Sequence, residues 1–219
     1  LRVVFGAEVS PLPDRLSIIS NHRSLSMFRI FPLTTRVALA GLLVTALTFA
    51  VGVEAKSGFK ISSPDVGPKK PTANEFVFKG FGCNGGNQSP RLDWHGAPAG
   101  TKSFAVSVYD PDAPTGSGWW HWFVVNLPAS TTTLARGAGK PDGSGLPAGA
   151  RQINTDFGAP GYGGPCPPAG DKPHRYVVTV YALKVPKLDL PPNATAALAG
   201  FMVNANAIAK ARLTFKYGR

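Results

Sequence analysis

Two carboxylates and a histidine stand close together in the middle of the chain. Asp110-Pro111-Asp112-Ala113-Pro114 is followed by Trp119-Trp120-His121-Trp122, and a second histidine arrives in His174-Arg175-Tyr176. An imidazole beside a carboxylate can move a proton as a general base or, when protonated, offer donors to an anion. Gly161-Tyr162-Gly163-Gly164 and Pro167-Pro168 run into the second histidine, so the amides of Gly163 and Gly164 could add donors. Such a set suits a small polar pocket. Each motif also has a plainer reading. Asp110 to Pro114 is a good turn sequence by itself, and the tryptophans can be core or pocket wall. His95 reads as a loop residue, and Arg175 as one half of a strand-end salt bridge. No serine elbow of the Gly-x-Ser-x-Gly kind, no His-Glu-x-x-His and no Cys-x-x-Cys is present. Gly161 to Gly164 lacks the Gly-Lys-Ser/Thr ending of a nucleotide-binding loop. No metal and no cofactor is therefore expected.

The elements that must position these groups are strands. Gly and Pro fill 46 of 219 positions (25 Gly, 21 Pro) and only 16% of residues are charged, which disfavours helical bundles and coiled coils. With 43% hydrophobic residues the chain can still bury a core. Glu75 to Phe81 and Ser103 to Tyr109 read as strands, the second alternating Phe104, Val106 and Val108 against Ala105, Ser107 and Tyr109. His121 to Leu127 and Arg175 to Leu183 are near-continuous apolar runs, the pattern of strands buried on both faces. Long Gly/Pro-rich connections, Arg136 to Arg151 and Asp156 to Pro173, lie between them. One helix is expected after Pro191-Pro192, capped by Asn193 or Thr195, with Leu198, Phe201, Met202, Ala205, Ile208 and Ala209 as its packing stripe. Leu213, Phe215 and Tyr217 then alternate as a closing strand.

Residues 27–55 read as a signal peptide, with Arg29 and Arg36 before the uncharged apolar run Val37 to Val53, and small residues before a cut after Ala55. An uncleaved anchor is the alternative, since the run approaches the roughly 20 residues that span a bilayer. Residues 1–26 read as an upstream, non-native extension, and residues 56–73 as a leader into the domain at 74–219. Export to the periplasm or beyond would leave 18 basic and 9 acidic residues in 56–219, a charge of +9. These cations are scattered along the sequence without interleaved stacking aromatics, so nucleic acid is not the expected partner. An oxidising compartment would allow Cys83 and Cys166 to pair, a bridge that contributes about 4 kcal/mol in the chain-entropy model; two free thiols are the other reading.

Taken in order, Asp110 to Pro114, His121 with Val124-Val125-Asn126, Gly164 with Pro167-Pro168, and His174-Arg175-Tyr176 resemble the signature of the phosphatidylethanolamine-binding protein family, also called Raf kinase inhibitor proteins. Asn87-Gln88-Ser89-Pro90, Asp156-Phe157-Gly158 and Gly161 to Gly164 resemble its bacterial branch, and the likeness runs from about residue 75 to 217. The resemblance implies an antiparallel β-sandwich with a C-terminal helix. It also implies an anion pocket of Asp110, Asp112, Pro114, Trp119, His121, Gly164, Pro168, His174 and Tyr176, for phosphate or a phosphorylated small molecule or lipid head group. Carboxylates in such a pocket make sense if Asp110 accepts a hydrogen bond from His121 and favours its protonated form. The expected function is non-enzymatic binding, with a protein partner to regulate. A protease or kinase inhibitor acting through surface loops and a hydrolase using the Asp/His cluster are the alternatives. After signal removal no membrane span is expected.

Overall fold

The computed structural model describes residues 58–219. The upstream extension, the signal peptide and the first two residues of the leader lie outside the described residues. Ten strands and one α-helix follow in order. They are β1 (Lys60–Ser62), β2 (Lys79–Gly80), β3 (Cys83–Asn84), β4 (Leu92–His95), β5 (Ser103–Asp110), β6 (Trp119–Pro128), β7 (Thr133–Leu134), β8 (Arg151–Gln152), β9 (His174–Leu183), α1 (Ala196–Asn206) and β10 (Ala207–Tyr217). Among the described residues no helix is long and apolar enough to cross a membrane.

A five-stranded antiparallel sheet in the order β10-β9-β5-β6-β8 forms the centre of the molecule. One face carries Phe104, Val106, Val108, Trp122 and Val124 and packs on the three-stranded sheet β1-β4-β7 through Leu92, Trp94 and Leu134. The other carries Ala105, Phe123 and Val125 and is covered by Leu188, Leu190 and the helix. Both faces are thus dry, which is why β6 and β9 lack a polar side. The construction is a sandwich with a helix on its outer face.

Two irregularities in β6 set the phase of its side chains. Near one end, Phe104 pairs with Leu127 and Val106 with Val124, so β6 holds an extra residue there. Asn126 absorbs it at φ 61°, its side chain accepting from the Leu188 amide at 2.7 Å. Asparagine tolerates that left-handed backbone better than most residues. At the other end Val108 pairs with Trp122 and Tyr109 with Trp120, leaving His121 without a partner in β5. Bulges of this kind re-aim side chains beside functional sites.

Two expectations need correcting. Glu75 to Phe81 is not a strand; it is a short 3-10 turn at Asn74–Phe76 followed by β2, part of a separate two-stranded hairpin with β3. The helix is capped by Thr195, whose hydroxyl accepts from the Leu198 amide at 3.2 Å, yet its buried residues are Ala196, Ala199, Gly200 and Val203. Leu198 and Phe201 face outward, and Ile208 and Ala209 already belong to β10. Small residues were chosen by the close approach of the helix to Trp120 and Phe123, which lie 3.8 and 3.9 Å from where a Gly200 Cβ would stand.

Candidate functional site

The ends of β5, β6 and β9 meet where the loops after β5 and before β9 close over them. A cavity of about 160 Å³ lies there, with Asp110, His121, His174 and Tyr176 on its floor. Pro114, Thr115, Trp119, Phe157, Pro168 and Phe81 form its walls and mouth.

Asp110, 3% exposed, has both oxygens engaged. Oδ2 accepts from His174 Nδ1 at 2.7 Å, and Oδ1 accepts from the Asp112 amide at 2.8 Å. The second bond is the turn-forming contact expected of Asp-Pro-Asp. His174 Nε2 lies 3.4 Å from Asp171 Oδ2, so both of its ring nitrogens face carboxylates. Asp112 points away from the cavity and takes a two-pronged contact from Arg175, at 2.6 Å from Nη2 and 2.9 Å from Nε. That guanidinium holds the Asp112 carboxyl down at about 2. Arg175 is the strand-end salt bridge of the plainer reading.

His121 is held differently. Its Nδ1 donates to the Gly163 carbonyl at 2.7 Å, which leaves Nε2 as an acceptor in the neutral ring. Burial pushes its pKa down to about 4, against the opposing pull of the Gly163 carbonyl and of Asp110. The expected Asp110–His121 hydrogen bond and imidazolium are therefore absent: Asp110 bonds His174, and His121 is neutral at physiological pH. Beside it Tyr176, 1% exposed, stacks on Phe215 and meets the His121 ring edge-on. Burial raises its phenol pKa, so the hydroxyl stays protonated. Among the described residues that buried hydroxyl has no hydrogen-bond partner. By contrast, the hydroxyl of Tyr162 donates to the Phe76 carbonyl at 3.1 Å.

The structure gathers Asp110, Pro114, Trp119, His121, Pro168, His174 and Tyr176 around one cavity and places Asp112 and Gly164 outside its lining. The Gly164 amide donates to Asn87 Oδ1 and the Gly163 amide to the His121 carbonyl, both at 2.8 Å, so neither is free for a ligand. Gly164 is a packing glycine: a Cβ there would stand 2.2 Å from the Phe76 carbonyl oxygen. A Gly163 Cβ would meet the Phe157 ring at the same distance. Trp119 is wall, Trp122 is core, and Trp120 packs toward the helix. His95 ends β4 in an exposed position. Phe81, Thr115 and Phe157 were not foreseen; Gly80-Phe81-Gly82, a large ring between two glycines, was the visible signal for the first. Cys83 and Cys166 form a disulfide, and Cys166 touches the cavity. Among the described residues no cluster of His, Cys, Asp or Glu could hold a metal ion.

Comparison with known proteins agrees with this architecture. YbcL of Escherichia coli is 53% identical over 173 residues, which cover 79% of this chain and 94% of that one. YbhB of the same organism is 49% identical over 158 residues, 71% of this chain and 97% of the relative. LppC of Mycobacterium tuberculosis, named as a lipoprotein, is 41% identical over 133 residues, 61% of each chain. The crystal structure of E. coli YbcL, titled as a new member of the mammalian PEBP family, superposes with a TM-score of 0.72 at 55% identity, covering 74% of this chain and 98% of the other. The family model described as phosphatidylethanolamine-binding protein matches residues 67–218, and the chain belongs to that family.

Proposed function

We propose that this protein is an exported, non-enzymatic receptor for a singly charged phosphoryl group, free or on a small head group, seated in the Asp110/His121/His174/Tyr176 cavity. The observation that carries the reading is the Tyr176 hydroxyl. Among the described residues nothing accepts from that hydroxyl, so a ligand oxygen seated beside it would supply its partner. Beside it the neutral His121 ring offers an acceptor at Nε2. A donor next to an acceptor matches a phosphate monoanion, whose P–O⁻ accepts and whose P–OH donates. The Asp110 carboxylate on the same floor disfavours a second negative charge. At about 160 Å³ the cavity is well below the roughly 300–1,000 Å³ of drug-sized sites, so it holds a head group and not acyl chains.

Binding without turnover is supported by how the two histidines are used. His174, the one with a carboxylate on Nδ1, turns its other nitrogen toward Asp171 and not toward a nucleophile. The Thr115 hydroxyl at the cavity wall donates to the Gly118 carbonyl. Export is supported by the signal-like residues 27–55, by the disulfide, which persists in oxidising compartments, and by the name of LppC.

The test is calorimetric titration of residues 56–219 with phosphate and phosphoethanolamine at pH 5.5 and pH 8, with sulfate as a control. Phosphate should bind about tenfold more weakly at pH 8, because inorganic phosphate loses its second proton between the two pH values and only about a tenth of it is still the monoanion at pH 8. Sulfate, which has no proton to donate at either pH, should bind poorly at both. Tyr176→Phe should lower phosphate affinity about tenfold at pH 5.5. Absence of phosphate binding, or sulfate binding equal to phosphate, would overturn the reading.

A further inference from the structure

The mouth of the cavity carries a feature that the turn chemistry does not explain. Phe81 and Gly82 are the central pair of the β2–β3 hairpin, closed by the Gly80–Cys83 pairing, and both have positive φ, 51° and 80°. Hairpin turns of this type favour Asn or Asp followed by Gly, since a bulky side chain in the left-handed region is strained. Phe81 is nevertheless there, and it is 68% exposed, so the core gains little from it. A strained, exposed aromatic is evidence of a use outside folding.

Three devices hold that ring in place. Arg219 donates to the Phe81 and Gly82 carbonyls at 3.2 and 3.1 Å. The Cys83–Cys166 disulfide ties the hairpin to the cavity lining at Cys166. The Phe81 ring lies nearly parallel to Phe157, with centroids 6.0 Å apart, and Phe78 contacts both at 5.4 and 4.5 Å. Trp119 meets Phe157 edge-on at 5.4 Å, so an aromatic surface continues from the solvent edge at Phe81 down to the wall beside His121.

We propose that Phe81 and Phe157 form a second subsite, which makes the preferred ligand a phosphomonoester of an aromatic or comparably flat apolar alcohol. The phosphoryl group sits on the polar floor and the substituent lies along the rings at the mouth. This rests on the phosphoryl reading of the floor. A flat substituent stacked there gains affinity beyond that of the area it buries.

Phenyl phosphate and methyl phosphate are the probes, measured by calorimetry at pH 5.5 on residues 56–219 as wild type and as Phe81→Asn. Asparagine suits the left-handed turn position, so the variant keeps the hairpin, and a single cooperative thermal transition checks that it folds. In the wild type, phenyl phosphate should bind about tenfold more tightly than methyl phosphate, equivalent to about 1.4 kcal/mol. In Phe81→Asn the preference of phenyl over methyl phosphate should fall below about twofold. Methyl phosphate binding without a phenyl preference, or a preference that survives in Phe81→Asn, would overturn the subsite alone. Failure of both esters to bind would overturn the phosphoryl floor and the subsite with it.

Discussion

The two histidines on the cavity floor are neighbours held by opposite means. His174 donates a hydrogen bond from Nδ1 to the buried carboxylate of Asp110 and has Asp171 near its other nitrogen, while Asp110 also accepts from the Asp112 amide. His121 donates a hydrogen bond from Nδ1 to a neutral backbone carbonyl, and the ring beside it, Tyr176, keeps a hydroxyl with no partner among the described residues. One half of the floor is internally satisfied and anchors the β5–β9 corner. The other half has unspent hydrogen-bonding capacity. A polar residue in a pocket is therefore informative about a ligand to the degree that its own fold leaves it unsatisfied.

The sharpest way to break this contrast is to unpair the satisfied half. Asp110→Ala leaves the buried His174 Nδ1 without its acceptor and removes the acceptor of the Asp112 amide, two hydrogen bonds whose loss should together cost about 3 kcal/mol in urea denaturation. A cost under about 1 kcal/mol would mean that the pair does not anchor the corner.

The His121 half answers to pH. The folded pKa, about 4, lies below the ordinary 6.5, so beneath pH 6.5 the unfolded chain takes up a proton that the folded one refuses. Stability from this group is whole above pH 6.5 and declines as pH falls toward 4. The integrated loss is roughly 3 kcal/mol. His121→Gln should flatten the stability profile over that interval, relative to wild type, in denaturant titrations at pH 7, 5.5 and 4.5. An unchanged slope would show that His121 does not titrate as a buried neutral ring.

Much of this was readable in advance, for reasons that differ between elements. The continuous apolar runs in β6 and β9 report directly on a sheet covered on both faces, and the alternation in β5 sorts Phe104, Val106 and Val108 to one side. The packing face of α1 was not readable, because close helix–sheet approach selects Ala and Gly and leaves Leu198 and Phe201 outside, the reverse of a simple apolar stripe. Motif order brought Asp110, His121, His174 and Tyr176 to one end of the sheet. It could not say which histidine the carboxylate would choose. That choice depends on the bulge at His121 and on a loop carbonyl more than forty residues away in the chain, at Gly163.

Tyr176→Phe sharpens the comparison from the unsatisfied side. Removing a hydroxyl that has no partner among the described residues should leave stability within about 1 kcal/mol of wild type, or raise it, while phosphate affinity falls. Parallel loss of stability and affinity would return Tyr176 to the satisfied half. Removal of the Tyr162 hydroxyl, which bonds the Phe76 carbonyl, serves as the matched control: it should cost stability with no direct effect on the ligand.

The smallest expected effect belongs to Arg175→Ala. Arg175 and Asp112 sit outside the cavity, more than half of the guanidinium being open to solvent, so screening keeps their contribution at neutral pH slight. Their signature is on the acid limb. The depressed pKa of Asp112 contributes stability that is present above pH 3.8 and is lost as pH falls through about 2. Without Arg175 the carboxyl returns toward its ordinary value, and the acid limb between pH 4 and 2 should become shallower in thermal denaturation. Phosphate affinity at pH 5.5 should stay at the wild-type value. A variant that instead lost phosphate binding would place Asp112 and Arg175 on the functional side of the floor, where the family resemblance alone had put Asp112.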